Sequence, residues 1–431
     1  MNSEWFVCVY LTITIFPLLI LLGRFLISDW LHPGTFFTLF WFSAIVLSEV
    51  FFFGYKFFYG GILWVAIACI SVFAGSLIGT GTIKNSLIRD FKIQTNIFSI
   101  FFEKFKKYMF ISIAISFIGI ISLTLSADVE FNLSNPIESL IKIGARYSFL
   151  RYSDENYKEP SVAVFCSIFS FLSALLGGII FGTKKSKRNR IIALFSLFPS
   201  FLYTSLLTTR ASIIFSLILW ISSFLSIVVL KKKIFKIFKI KVILLLVCVG
   251  VFLILIYICL QSFRKGLLPT EINRDTFLFI WDMMRQAYFG SVLYFSLWFE
   301  NNWYETINPS FGSFTFGRLL QWIGLQTAKT HYPEIYYGLP DSTVFTLFRD
   351  AIEDFTLPGS LIFFFLFGIL GGFSYTKVKR EKKIIYIPLL ILFYSATISS
   401  LSCFMFRYTT ISVALLILYL LLCFERRKVL R

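Results

Sequence analysis

HYPEIYYGLPDSTVFTLFRDAIEDFTLPGS, residues 331–360, is the last long polar interruption in a strongly apolar chain. Apolar blocks flank it, Lys241–Leu260 before and Leu361–Phe373 after. Pro340, Asp341 and Ser342 read as a turn with a helix N-cap, because a side-chain oxygen there accepts from a free backbone N–H. The residues that follow are amphipathic at helical spacing. Val344, Phe345, Phe348, Ala351, Ile352 and Phe355 share one face; Thr346, Arg349, Asp350, Glu353 and Asp354 share the other. Arg349 and Glu353 stand four apart and pair. Asp350 and Asp354 stand four apart too, and like charges there repel. Selection for stability alone would avoid that pair, so the crowding of both signs on one short face points to function. The competing reading is an interfacial helix lying on a membrane with a solvated polar face.

Outward from this stretch the chain is a series of apolar runs. Of its 431 residues 57% are hydrophobic and 15% charged, where soluble domains carry about 25% charged. The fold class is therefore an all-α polytopic integral membrane protein, one membrane domain over 1–431. Eleven spans are read, at 5–23, 34–53, 60–79, 109–126, 161–181, 191–208, 211–230, 241–260, 357–376, 384–401 and 404–424. The first is not a cleavable signal, since no basic region precedes it and Glu4 stands there instead.

The net charge of +18 would suggest nucleic acid in a soluble chain. Here the cations gather in short loops between apolar runs, so they report topology and exclude that partner. The loops 80–108, 182–190, 231–241 and 377–383 hold eighteen lysines and four arginines. Together with the basic tail they fall on one side, which makes that side cytoplasmic, the N-terminus outside and the C-terminus inside. The opposite face carries 127–160 and the long, aromatic-rich 261–356. Rings with polar tips belong at headgroup level and also serve as sugar platforms.

The outer loop uses a different cation. It holds Arg264, Arg274, Arg285, Arg318 and Arg349 against only Lys265 and Lys329. Positive-inside anchoring needs only charge, but guanidinium grips phosphate through two parallel donors. An anionic ligand follows, unless these arginines pair with the loop's ten acidic residues. Arg210, in LLTTRASII, opens a helix on the outer side, where the helix dipole disfavours a cation. Arg407, in CFMFRYTTIS, lies within an apolar run, where a cation is costly and by default functional; snorkelling to headgroups is the alternative. For proton chemistry the candidates are His331, Asp341, Asp350, Glu353 and Asp354. The seven cysteines sit in or beside apolar runs without a C-x-x-C pair, and there are two histidines, so no metal site or disulfide frame is read. No nucleotide-binding or hydrolase motif occurs in a usable context.

RDAIEDFTLPGS, with YGLPDSTVFTLF before it, resembles the segment after the large external loop of O-antigen (oligosaccharide repeat-unit) polymerases of the Wzy type. Asp354-Phe355 and Gly359 match that family's pattern. Thr356 stands where its first glycine is common, and Ile352 where an aromatic is common. The resemblance extends to the layout of spans and loops, although the family more often has an even span count. Either one span is missed or Phe277–Phe299 dips into the membrane. The resemblance implies a membrane glycosyltransferase of the C type without metal or cofactor. It would join undecaprenyl-diphosphate-linked units on the outer face of a bacterial inner membrane, with a flippase and a chain-length regulator as partners alongside membrane lipids. Diphosphate binding would fall to Arg210, Arg274, Arg285, Arg349 and Arg407, and acid–base or acceptor positioning to His331, Asp350, Glu353 and Asp354. The alternatives are an O-antigen ligase delivering glycan to a lipid A core, and a transporter of the same lipid-linked sugar, which would usually show internal repeats and broken spans.

Overall fold

A computed structural model describes residues 3–81, 94–129, 132, 134–153, 157–183, 186–231, 258, 274–304, 308–325 and 346–430. Among the described residues the regular structure is entirely helical. Nine segments among the described residues are long and apolar enough to cross a membrane, and Ile384–Ser399 is a shorter apolar helix. These ten overlap ten of the eleven apolar runs; 241–260, apart from residue 258, lies outside the described residues. The chain is a polytopic helical membrane protein. One detail differs from the sequence reading. The run 191–208 is two helices, because the chain turns at Ser196–Leu197 just ahead of Pro199. The segment 277–299, for which a dip into the membrane is one of two alternatives, is built of two helices, Arg274–Phe289 and Ser291–Asn302.

The chain divides into two compact units. The first comprises Met1–Arg89, Val228–Phe235 and Arg285–Thr409. It contains α1 (Ser3–Ile27), α2 (Pro33–Phe51) and α3 (Tyr59–Gly81). The second comprises Asp90–Ile227, Lys236–Met284 and Thr410–Arg431. It is built on α4 (Gln94–Leu125), α5 (Pro136–Ser153), α6 (Ser161–Thr183), α7 (Lys187–Phe195), α8 (Phe198–Leu207) and α9 (Arg210–Leu230). Next in the chain come α10 (Arg274–Phe289), α11 (Ser291–Asn302), α12 (Gly317–Trp322), α13 (Leu347–Lys379), α14 (Ile387–Ser399) and α15 (Thr409–Leu430). Of these, α11 to α14 belong to the first unit.

The first unit is organised on α13 against α3. In a bilayer apolar side chains gain little by leaving lipid, so helices associate through close backbone approach. Gly75 and Gly79 of α3 supply it, and so do Gly368 and Gly372 of α13. A Cβ on Gly75 would meet the Phe365 carbonyl, and one on Gly368 the Val72 carbonyl. This reciprocal small-xxx-small face sets the two backbones in contact. Above it Phe348 is fully buried among rings, 4.5 Å from Trp41, 5.0 Å from Phe364 and 5.7 Å from Phe295.

The second unit is held by buried hydroxyls as much as by its apolar core. Ser200 Oγ lies 2.6 Å from Ser170 Oγ on α6 and 2.5 Å from Ser216 Oγ on α9. Tyr147 of α5 donates to the Leu123 carbonyl of α4 at 2.6 Å. Without water in the bilayer, such partners satisfy groups that would otherwise be costly to bury.

Candidate functional site

The start of α13 gathers the charged side chains singled out above. Its N-cap residue is Thr346, and the Leu347 N–H donates to the Ser400 carbonyl, which ties the helix start to the turn after α14. The expected cap at Ser342 lies outside the described residues, as does His331.

The charged face is not solvated. Arg349 and Asp350 are each 1% exposed and Asp354 is 0% exposed. Arg349 Nε donates to Glu353 Oε1 at 3.3 Å, and its guanidinium carbon lies 5.2 Å from the centre of the Trp298 ring. The Glu353 side chain is 26% exposed, the most accessible carboxylate of the three. Asp350 receives a hydrogen bond from the Phe404 backbone, and Arg407 supplies an opposing charge. Arg407 itself lies in the turn Met405–Arg407 before α15, rather than inside a spanning helix as its apolar neighbours suggest.

Asp354 has a different task. Its carboxylate accepts from Ser310 Oγ at 2.5 Å, Phe314 N at 3.0 Å, Thr315 N at 2.7 Å and Thr315 Oγ1 at 2.7 Å. The Phe311 N–H adds a bond to the Asp354 carbonyl at 3.0 Å, and the Ser310 N–H one to the Glu353 carbonyl at 3.1 Å. Four donors saturate the carboxylate, so its geometry is that of an anchor for the turn 310–315. Ser310 and Thr315 carry no signal in sequence spacing, since they lie some forty residues from their partner.

Two residues further on the helix breaks. Thr356 has φ 67° and ψ 176°, a conformation almost confined to glycine, and Pro358 follows. A threonine there stores about 1–3 kcal/mol of strain. The sequence signal was available, because Thr356 occupies the position where the resembling family commonly has glycine. In the turn between α14 and α15, burial pushes the Cys403 thiol up to about 12, which removes it as a nucleophile.

The other candidate arginines from the sequence lie on other elements. Arg285 lies over Phe52 at 4.9 Å and Tyr55 at 6.0 Å, within the first unit. Arg274 is exposed at the start of α10 and Arg210 opens α9; both belong to the second unit. Among the described residues no group of three or more His, Cys, Asp or Glu converges as metal ligands would. No family model, curated protein or solved structure matches the chain.

Proposed function

We propose that the protein is a membrane glycosyltransferase that polymerises undecaprenyl-diphosphate-linked oligosaccharide repeat units on the outer face of a bacterial plasma membrane. The observation that carries this reading is the pairing of a buried guanidinium with a partly exposed carboxylate, Arg349 with Glu353. A second carboxyl, Asp350, and a second guanidinium, Arg407, accompany them. A charged nest of this kind inside an apolar protein costs stability and fits chemistry better than packing.

In the proposed reaction a hydroxyl of the new unit attacks the anomeric carbon of the lipid-linked chain. The bond from that carbon to the diphosphate oxygen breaks, and the hydroxyl proton is released. Arg349 and Arg407 neutralise the departing diphosphate, with Arg285 of the same unit as a further candidate for that anion. Glu353, the most accessible carboxylate, takes the hydroxyl proton or orients the acceptor, with Asp350 and His331 as the other candidates. Asp354 holds the turn 310–315 against this cluster.

The test is polymerisation of a purified lipid-linked repeat unit by the reconstituted protein. Arg349→Gln and Glu353→Gln should each abolish polymer without lowering the amount of folded protein. Wild-type polymer length in both variants would falsify the assignment. A deletion strain separates the ligase reading: single-unit glycan caps mean a lost polymerase, whereas lipid-linked polymer left untransferred means a lost ligase.

A further inference from the structure

Glu49 is a carboxyl group that the chemistry above does not use. It lies in α2, two residues before the end of the helix, and is 4% exposed. Its Oε1 is 2.8 Å from Thr12 Oγ1 of α1. Among the described residues it forms no ion pair. A carboxylate buried without a cation costs several kcal/mol, a cost it avoids by keeping its proton.

Thr12 Oγ1 lies 2.9 Å from the Cys8 carbonyl as well as 2.8 Å from Glu49. A hydroxyl has one hydrogen and two lone pairs, so a protonated Glu49 can donate to Thr12 while Thr12 donates to the Cys8 carbonyl.

Arg285 of α10 reaches the same end of α2, where it donates to the Phe51 carbonyl at 3.5 Å and lies over the Phe52 ring. On α1, Cys8 gives its thiol hydrogen to the Phe57 carbonyl. Lys56, in the turn after α2, pairs with Glu300 of α11 at 2.5 Å and with Glu4 of α1 at 3.9 Å. α3 offers Tyr59 and Cys69; α11 also carries Tyr294 and α14 Tyr394. The acids and bases of α13 belong to the clusters at its two ends.

We propose that Glu49 and Thr12 form a proton-binding site within the membrane-spanning part of the first unit, apart from the Arg349–Asp350 cluster. At neutral pH the carboxyl holds its proton and donates it to Thr12 Oγ1; at alkaline pH it releases the proton to solution while the protein stays folded.

Infrared spectroscopy of the full-length protein in detergent reads this state directly. The difference between wild type and Glu49→Gln at neutral pH should contain the carbonyl stretch of a protonated carboxyl, moving in heavy water. Carboxylate bands in its place overturn the proposal. Thr12→Val should shift that stretch upward, since the carboxyl loses its acceptor; an unmoved band removes Thr12 from the site. On raising the pH the stretch should convert reversibly to carboxylate bands in the folded protein. Persistence throughout the folded range makes Glu49 a fixed packing group and overturns proton exchange. Should Glu49→Gln fail to accumulate, wild type is treated with dicyclohexylcarbodiimide, which attacks protonated carboxyls. Modification of the Glu49 peptide at neutral pH supports the site, and its absence overturns it.

Discussion

The two ends of α13 each carry charge, and they manage it in opposite ways. At the C-terminal end one carboxylate, Asp29, is met by Lys379 and by the Tyr375 hydroxyl, and the Leu31 N–H adds a third bond at 3.0 Å. Lys377 and Lys383 likewise close on Glu381 at 2.7 and 2.6 Å. Burial pushes the Asp29 carboxyl up, but the bonds from Lys379 and Tyr375 outweigh it and hold it below the usual carboxylate range. At the N-terminal end three carboxylates and two guanidiniums share a few turns, two of the acids four residues apart, and the helix breaks at a strained Thr356. One end is arranged as a lock. The other keeps charges in a crowded, strained arrangement that a purely structural role would not require.

The strongest way to break this contrast is to remove one cation from each end. Arg349→Gln should abolish detectable polymer in the assay of the proposed activity, a loss of at least about 10² to 10³ as expected for losing a donor to developing charge, with little change in melting temperature. Lys379→Gln should do the reverse, leaving activity intact while costing about 1–2 kcal/mol of stability through the lost bond to Asp29. Activity lost in the lysine variant and kept in the arginine variant would invert the assignment.

Asp354 sharpens the contrast within the N-terminal end. If it is an anchor, Asp354→Asn sets an amide N–H against the donors of the turn 310–315, and thermal melting in detergent should show a loss of about 3 kcal/mol. Loss of polymer with an unchanged melting curve would return Asp354 to the chemistry.

Acid should loosen the C-terminal end first. His32, which caps α2 beside Tyr375, is fully buried, and burial lowers its ring from 6.5 to about 3. The folded state therefore binds this proton less readily than the unfolded chain. Its contribution is fully present above pH 6.5 and is lost as pH falls toward about 3, at about 1.4 kcal/mol per pH unit. Asp29, also lowered, has the same sign, and its share is lost as pH drops below the ordinary carboxylate value of 3.8. A melting series should show both losses in wild type and only the lower one in His32→Leu. An unchanged upper slope in the variant would place the titrating group elsewhere.

The smallest expected effect is at the kink. Thr356→Gly should raise stability by about 1 kcal/mol, because glycine adopts that backbone conformation without a clash. A loss of stability would mean that the threonine side chain compensates its own strain.

Composition and periodicity alone determined that the chain is helical and crosses a membrane many times, because runs of some twenty apolar residues have no other stable solution in lipid. The same reasoning placed Arg349 and Glu353 on one face, since an i, i+4 pair follows from helical pitch. It did not separate the three carboxylates beside them. Asp354 differs from Asp350 only through Ser310 and Thr315, and no local pattern reports a hydrogen bond across forty residues. The burial of the charged face was hidden as well, because an amphipathic helix on a membrane surface and one sunk into a protein share the same periodicity. Glu49 escaped notice for a like reason: a lone acid in an apolar run acquires meaning from what lies opposite, and only the packing of α1 against α2 brings Thr12 there. Thr356 stands between the two cases. Its identity was unusual in the sequence, but only the tertiary structure showed the backbone conformation that a threonine must bear at that break.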